Sequence, residues 1–297
     1  MKNVIVTGAT GFVGSHLSRK LVELGYNVHI ISRPSSTYEN LESIKSKIDI
    51  FEYNQNITEL INFFKEVKAD VVFHLASMFI SEHKSDEIDS LINSNIKFGT
   101  HILEAMSKSD TYRLINTGTS WQHYKNEEYN PVNLYAATKQ AFEDIIEYYV
   151  KTLDFNVITL KLFDTYGEND NRGKLINLLG KFSKEKKKLK MSPGEQKIDL
   201  VHVDDVVDAF ISAYDLIKKN KISHNKYAVS SGQGIKLKDL IELYEEVTGN
   251  EVLVEWGGRP YRKREVMELW RDFDKLSNWK SEISLKEGLR RLAIHGN

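Results

Sequence analysis

The sequence of 297 residues contains no cysteine and no long apolar run. The lack of cysteine excludes disulfides and thiolate chemistry and is typical of a reducing cytosol. No window approaches the roughly 18 apolar residues that cross a bilayer, and glycines come too early for the apolar core of a signal peptide. The formal net charge of −1 argues against a nucleic-acid binder. We therefore expect a cytoplasmic globular protein without nucleic-acid or membrane partners.

The first 25 residues predict a dinucleotide site. Residues 4–6 are a short β-branched run, typical of a buried parallel strand. Three glycines with G-x-x-G-x-x-G spacing follow, and a segment with helical spacing then ends at Gly25. This arrangement brings backbone N–H groups and the positive end of a helix dipole to one point, which suits a pyrophosphate. Gly8 would form the tight turn, Gly11 would admit the phosphates and Gly14 would allow close helix–strand packing.

The end of the second predicted strand favours NADP over NAD. NAD sites usually place an acidic residue there to bind the ribose hydroxyls, whereas this sequence has Ser32 and Arg33. A guanidinium can pair bidentately with a 2′-phosphate. Arg33 therefore favours NADP(H), with NAD(H) as the alternative.

Strand-like and helix-like segments alternate through the first half of the chain. The predicted strands after the first are 27–32, 48–53, 71–75, 114–117 and 157–163, and the predicted helices after the first are 57–67, 91–106 and 134–153. This rhythm predicts an α/β fold with a doubly wound parallel sheet, the Rossmann arrangement. We assign 1–165 to a cofactor domain, to which 198–221 return, and 166–297 to a smaller α/β substrate region.

A second group of residues predicts proton transfer beside the cofactor. Tyr135 and Lys139 are four residues apart, so they share one face of a helix. A phenol has an ordinary pKa of about 10, and a nearby ammonium lowers that pKa. The pair can then exchange a proton with a carbonyl or alcohol while a nicotinamide moves a hydride. Thr119, with Ser120 as the second choice, follows the fifth predicted strand and would hold the substrate oxygen.

These motifs resemble the extended short-chain dehydrogenase/reductase family of nucleotide-sugar enzymes, nearly end to end. The matching segments are residues 7–14, His74-Leu75-Ala76, Asn95 in N-x-x-G-T, Thr119 with Tyr135 and Lys139, Tyr166-Gly167, residues 202–206 and Arg259-Pro260. The resemblance implies catalytic roles for Asn95, Thr119, Tyr135 and Lys139. It implies cofactor contacts from Gly8, Thr10, Gly11, Phe12, Val13, Gly14, Arg33, Leu75, Ala76, Tyr135 and Lys139.

The substrate is expected beyond the carboxyl ends of the strands, where ligands bind in such folds. The predicted substrate contacts are Ser120, Trp121, Gln122, Lys197 and Arg259. The helices holding residues 95–106 and 136–151 look more apolar than one core contact requires, which suggests a partner surface. Since the family commonly pairs these helices across a two-fold axis, the resemblance implies a homodimer.

Within the family, residues 116–122 and 133–143 are most similar to reductases of nucleotide-linked 4-keto-6-deoxyhexoses. Ser120 and Trp121 occupy the places of the acidic pair of 4,6-dehydratases, Ile198 replaces a common arginine beside Lys197, and Asp164 replaces a common asparagine. We expect NADPH-dependent reduction of the C4 ketone of a CDP- or dTDP-linked 4-keto-6-deoxy or 3,6-dideoxy hexose, for polysaccharide biosynthesis. The alternatives are a nucleotide-sugar 4-epimerase with bound NAD and a non-catalytic NADP-binding regulator.

A metal site is not expected. His202, Asp204 and Asp205 are close in sequence, but Asp204 is better interpreted as a helix N-cap. The chain has no cysteine, and no second His/carboxylate group has a fitting spacing.

Overall fold

A seven-stranded parallel sheet forms the centre of the protein in the computed structural model, which describes residues 2–295. Its strands are β1 Asn3–Thr7, β2 Asn27–Ser32, β3 Ile48–Glu52, β4 Val71–His74, β5 Arg113–Thr119, β6 Asn156–Leu162 and β11 His224–Val229. Shorter strands pair as β7 Asp164–Tyr166 with β10 Leu200–His202, β8 Leu189–Met191 with β13 Val254–Trp256, and β9 Lys197–Ile198 with β12 Ile235–Lys236. The order β11-β6-β5-β4-β1-β2-β3 reverses between β1 and β4, and ligands bind at such a switch point.

Helices cover both faces of the sheet. They are α1 Phe12–Glu23, α2 Ile57–Val67, α3 Ile88–Ile92, α4 Phe98–Ser107, α5 Leu134–Leu153, α6 Leu175–Glu185, α7 Val203–Lys219, α8 Leu237–Thr248 and α9 Leu285–His295. Leu17 of α1 and Phe210 of α7 belong to one buried core cluster. Phe64 of α2, Leu103 of α4 and Ile146 of α5 belong to another. The predicted doubly wound Rossmann sheet is confirmed.

The seventh strand, β11, was not predicted as part of the sheet. It pairs in parallel with β6 at the sheet edge. Its sequence, HNKYAV, begins with three polar residues, of which Asn225 and Lys226 are exposed. An edge strand of this kind lacks the continuous apolar run that reveals a buried strand.

The predicted helix over 91–106 is longer and less regular than expected. α3 and α4 are joined by a π-helical turn, Asn93–Lys97, so helical structure runs from Ile88 to Ser107. Single π turns are frequent at functional sites. The turn contains Asn95, whose buried side chain reaches toward the loop after β4.

The C-terminal part of the chain packs in two places. Leu179 of α6, Leu240 of α8 and Leu289 of α9 are fully buried in a third core cluster. Leu269 and Trp270 instead pack against the core cluster of α1 and α7. The division into a cofactor domain and a substrate region therefore remains a prediction. In the structure, the polypeptide passes between the two predicted parts more than once.

The predicted cap of α7 is wrong by two residues. The N-cap is His202, whose Nδ1 accepts a hydrogen bond from the Asp204 N–H at 3.3 Å. Asp204 lies in the first turn, where its charge still complements the helix dipole.

The apolar surplus on α4 and α5 is largely used inside the chain. Leu103, Met106, Phe142 and Tyr149 are buried in the core. Tyr148, also on α5, is 62% exposed. The apolar residues of these helices therefore do not support the expected homodimer, which stays a prediction from the family resemblance. Within residues 2–295, no helix combines the length and apolar character needed to cross a membrane.

Candidate active site

The glycine turn after β1 has the close packing that the sequence predicted. Gly8 has a φ of +71°, and a Cβ there would lie 2.6 Å from the Ala76 nitrogen. A Cβ on Gly14 would lie 2.1 Å from the Gly8 carbonyl oxygen. The first position needs a left-handed backbone and the second needs the absence of a side chain. The turn therefore holds the start of α1 tightly against the ends of β1 and β4.

The start of α1 fits a dinucleotide pyrophosphate. Gly11 is the N-cap and supplies no side-chain hydrogen bond, and the first turn contains no acidic residue. The N–H groups of that turn therefore remain available to an anion. They border a cavity of about 480 Å³ lined by Gly8, Gly11, Phe12, Val13, Gly14 and Leu75. Thr10 and Ala76 precede Gly11 and follow Leu75 in sequence but do not line this cavity. The Thr10 carbonyl accepts a hydrogen bond from Asn40, and the Ala76 N–H donates one to Thr7 Oγ1.

Arg33 lies next to the same turn without lining the cavity. β1 and β2 pair in parallel, with Thr7 opposite Ile31. Arg33 follows the end of β2 and so lies on the same edge of the sheet as the glycine turn. Its side chain is exposed, and its guanidinium has no ion pair within the part of the chain that the structure describes. The guanidinium is therefore free to bind an anion on this side of the sheet's carboxyl edge.

Thr119, Tyr135 and Lys139 meet at the other end of this cavity. Thr119 ends β5, while Tyr135 and Lys139 lie one turn apart at the start of α5, and all three line the cavity. The Asn133 side chain caps α5 by accepting a hydrogen bond from the Ala136 N–H at 2.9 Å. The Tyr135 hydroxyl is hydrogen-bonded to the hydroxyls of Ser77 and Thr119.

Burial, rather than Lys139, dominates the titration of Tyr135. Burial raises the Tyr135 pKa to about 12, although the hydrogen bonds with Ser77 and Thr119 lower it. The expected lowering below the ordinary value is therefore not observed, because removal from water penalises the phenolate. Burial also lowers the Lys139 pKa to about 8, against the negative charge of Glu143, which raises it.

Asn95 supports the site from behind instead of facing the reacting groups. Its side-chain oxygen accepts a hydrogen bond from the Met78 N–H at 2.7 Å, and its nitrogen donates to Met78 O and Thr138 Oγ1, both at 3.0 Å. These bonds fix the loop that carries Ser77. Since its amide is fully engaged in these bonds, Asn95 positions this loop, and its catalytic role stays a prediction.

A second cavity of about 530 Å³ adjoins the first and contains most of the predicted substrate residues. Ser120 and Trp121 line both cavities, and Lys197 and Arg259 line the second. The cationic side chains suit a diphosphate. Ile198 stands where the family commonly has an arginine. Both Ile198 and its neighbour Lys197 line the second cavity.

Gln122 is not in either cavity, contrary to prediction. The residues after β5 form a 3₁₀ turn, Ser120–Gln122, which directs Gln122 inward, where its exposure is 0%. Its oxygen accepts a hydrogen bond from the Thr119 N–H at 3.0 Å, and its nitrogen donates to Glu143 Oε1 at 2.9 Å. Gln122 therefore holds the Thr119 turn and cannot touch a substrate in this arrangement.

The boundary between the two cavities contains residues that the sequence did not single out as contacts. Phe79, Asp164 and Lys174 line both cavities. The Lys174 ammonium lies 3.5 Å from the centre of the Phe79 ring, and that ring meets the Tyr135 ring edge-on at 5.0 Å. Burial raises the pKa of Asp164, against the positive charge of Lys174. An apolar wall and two side chains of opposite charge thus border both cavities.

An irregular C-terminal segment closes the second cavity. Arg262 of this segment lies over the Trp121 ring at 5.2 Å. Trp270 stacks on His123 with ring centroids 3.8 Å apart. Lys161 Nζ donates to His123 Nε2 at 2.8 Å, so the other ring nitrogen donates to Glu127 O at 3.1 Å. His123 is therefore held neutral, with burial lowering its pKa to about 4.

Among residues 2–295, no three His, Asp or Glu side chains come together in a way that could hold a metal ion.

The fold and the arrangement of Thr119, Tyr135 and Lys139 define the class of the protein, an extended short-chain dehydrogenase/reductase. The sequence profile described as the NAD dependent epimerase/dehydratase family matches residues 4–227. The chain belongs to this family, which confirms the predicted resemblance.

Particular relatives point in two directions. CDP-abequose synthase of Salmonella muenchen is 26% identical over 98% of this chain and 97% of its own length. A putative UDP-glucose 4-epimerase of Methanocaldococcus jannaschii is also 26% identical, over 97% and 96% of the two chains. The crystal structure of UDP-glucose 4-epimerase from Stenotrophomonas maltophila, with bound NAD and formylated UDP-arabinopyranose, has a TM-score of 0.88 and 19% identity and covers 99% and 98% of the two chains. This last likeness concerns the fold.

Proposed function

We propose that the protein is a nucleotide-sugar 4-ketoreductase that uses NADPH. Its substrate is a CDP- or dTDP-linked 4-keto-6-deoxy or 3,6-dideoxy hexose, and its product is the corresponding alcohol. The observation that carries the proposal is the meeting of Thr119, Tyr135 and Lys139 where a cofactor-sized cavity joins a cation-lined one.

The cofactor cleft suits a dinucleotide that supplies a hydride when bound. The free N–H groups at the start of α1 would hold its pyrophosphate, and Lys139 would bind the nicotinamide ribose. Arg33, exposed and unpaired by any carboxylate of the described chain, would bind the 2′-phosphate of NADPH. An acidic residue at this position would repel that phosphate.

The catalytic groups suit reduction. The phenol of Tyr135 is held in its protonated form by burial, so it can donate a proton to the carbonyl oxygen as the hydride arrives at carbon. Lys139 would stabilise the phenolate that remains. Thr119, already hydrogen-bonded to Tyr135, would hold the substrate oxygen in line.

The same residues argue against dehydration. Elimination of water needs an acid and a base beside the tyrosine, and Ser120 and Trp121 stand at the two positions in question. Neither side chain titrates near neutral pH. The 26% identity to CDP-abequose synthase over nearly the whole chain supports a CDP-linked sugar as substrate or product.

The second candidate is a nucleotide-sugar 4-epimerase that retains NAD. The identity to a putative UDP-glucose 4-epimerase favours it, and the same tyrosine, lysine and threonine would serve both reactions. The two candidates differ in what happens to the cofactor. A reductase consumes NADPH, whereas an epimerase returns the hydride to the sugar and retains its NAD.

One assay separates the two candidates. The purified protein is incubated with NADPH and matched CDP- and dTDP-linked 4-keto-6-deoxyhexoses, and the loss of NADPH absorbance and the NMR spectrum of the product are followed. We expect stoichiometric NADPH oxidation and a C4 alcohol. Interconversion of UDP-sugars without added cofactor, by protein purified with bound NAD, would establish the epimerase instead. No reaction with any sugar and retained NADPH binding would indicate a regulator.

A further inference from the structure

Glu143 is a fully buried carboxylate behind the candidate active site. It lies on α5, one helical turn after Lys139, and the exposure of its side chain is 0%. Lys161 Nζ on β6 lies 3.6 Å and Lys226 Nζ on β11 lies 3.4 Å from Oε2. A carboxylate removed from water needs compensating charge and hydrogen bonds. None of its interactions requires Glu143 to touch cofactor or substrate.

The other oxygen of Glu143 is tied to the substrate-binding turn. Oε1 accepts a hydrogen bond from Gln122 Nε2 at 2.9 Å, and Gln122 Oε1 accepts one from the Thr119 N–H at 3.0 Å. A second bond from Gln122 Nε2 to Gln140 Oε1, 2.8 Å, fixes the orientation of the amide. The chain of bonds runs from α5 to the last residue of β5 without passing through the cavity.

We propose that Glu143 is a positioning residue for the reaction: through Gln122 it fixes the turn that carries Thr119, and it places a negative charge one helical turn from Lys139. The inference rests on the proposed function for its kinetic consequence. Its electrostatic part concerns residues of this chain alone and can be measured without a substrate.

The charges around the pair set the direction of the effect. Lys161, Lys226, His123 and His224 face Glu143 from the neighbouring strands and the turn after β5. Around Lys139, the buried His74 is kept neutral, and Glu143 is the negative charge that offsets desolvation. Replacing Glu143 by a neutral side chain should therefore make Lys139 lose its proton at lower pH.

The decisive variant is Glu143→Gln, which keeps the shape of the side chain and removes its charge. The titration of Lys139 is followed by NMR of carbon-13-labelled lysine, with Lys139→Met identifying the signal. We expect the titration midpoint to move to lower pH by about one unit, the size typical of a nearby opposite charge. The alkaline limb of kcat should move with it, so that turnover at pH 8 falls about fivefold.

Two further variants separate charge from structure. Glu143→Asp keeps the charge but shortens the reach to Gln122, so we expect a lower kcat with the Lys139 midpoint unchanged; it also serves if Glu143→Gln does not fold. Glu147→Gln removes a charge one turn further along α5, where Glu147 pairs with His224 at 2.6 Å, and should leave Lys139 unchanged. An unmoved Lys139 midpoint in Glu143→Gln, or an equal shift in Glu147→Gln, would overturn the inference. A wild type inactive on all keto sugars would remove the proposed function while leaving the NMR result to stand.

Discussion

The ring of Trp270 is stacked on the ring of His123, with centroids 3.8 Å apart and planes 12° from parallel. This contact joins the C-terminal segment to the turn after β5, and both residues line the second cavity. Asn126 strengthens the same junction by accepting hydrogen bonds from the N–H groups of Arg271 and Asp272 at 2.8 and 3.1 Å. The wall of the candidate substrate cavity is therefore assembled from two segments about 150 residues apart in sequence.

Trp270→Ala should weaken substrate binding more than cofactor binding. Loss of the stacked ring removes an aromatic contact and frees the segment that carries Arg259 and Arg262. We expect KM for the nucleotide sugar to rise about tenfold and the free energy of unfolding to fall by about 2 kcal/mol. Steady-state kinetics and urea unfolding measure the two effects.

Trp256→Ala is the matched control for Trp270→Ala. Trp256 lies on β13, is 37% exposed and lines neither cavity. Its removal should leave both KM values unchanged. If Trp270→Ala raised KM for NADPH as much as KM for the sugar, the segment would not belong to the substrate site.

Arg33→Ala should lower the preference for NADPH over NADH. A charge-assisted hydrogen bond contributes about 1.5–3 kcal/mol, so the Kd for NADPH should rise about ten- to a hundredfold. NADH lacks the 2′-phosphate, and its Kd should stay within a factor of about two. Fluorescence titration with both cofactors gives the ratio, and an unchanged ratio contradicts the role of Arg33.

The features of the candidate site that follow from the sequence pattern are local. The left-handed φ of Gly8 and the contact of Gly14 with the Gly8 carbonyl belong to the strand–turn–helix geometry itself, and Tyr135 and Lys139 share a helix face because of their spacing. Such relationships depend on a few neighbouring residues, so the sequence pattern carries them. The doubly wound sheet could be predicted for the same reason, since each βα unit has its own periodicity.

The predictions from sequence failed where the direction of a side chain matters or where residues meet from distant parts of the chain. Gln122 is only three residues after Thr119, yet one 3₁₀ turn points it into the core. Lys174 and Trp270 reach the cavities from segments without clear periodicity, and only the tertiary fold brings them there. The motif shared with the family gave no signal for these residues.

Tyr135→Phe should fold like the wild type and lose most of its turnover. The hydroxyl interacts with the hydroxyls of Ser77 and Thr119, so its removal changes little packing. The loss of a general acid should lower kcat by about 10²–10⁴-fold, while the Kd for NADPH stays within a few fold. Stopped-flow measurement of NADPH oxidation tests the first expectation, and a variant with a near-native rate would show that another group donates the proton.

His74 should make the protein less stable as the pH falls. Its ring is buried, with Nδ1 2.9 Å from Thr7 Oγ1, and burial together with the charge of Lys139 lowers its pKa to about 3. In the unfolded chain the pKa of a histidine is about 6.5. Between these values the unfolded state binds a proton that the folded state excludes, so this contribution to stability is complete above about pH 6.5 and declines below it.

The size of this effect can be isolated with His74→Asn, whose amide can replace the hydrogen bond between Nδ1 and Thr7 Oγ1. One proton changes the free energy of unfolding by about 1.4 kcal/mol per pH unit. Because the unfolded histidine is only half protonated at pH 6.5, the wild type should lose about 1.6 kcal/mol more than the variant between pH 6.5 and 5. Urea unfolding at both pH values measures the difference. His83→Asn, at an exposed position, is the control and should follow the wild type; equal losses in wild type and His74→Asn would mean that His74 is protonated in the folded protein.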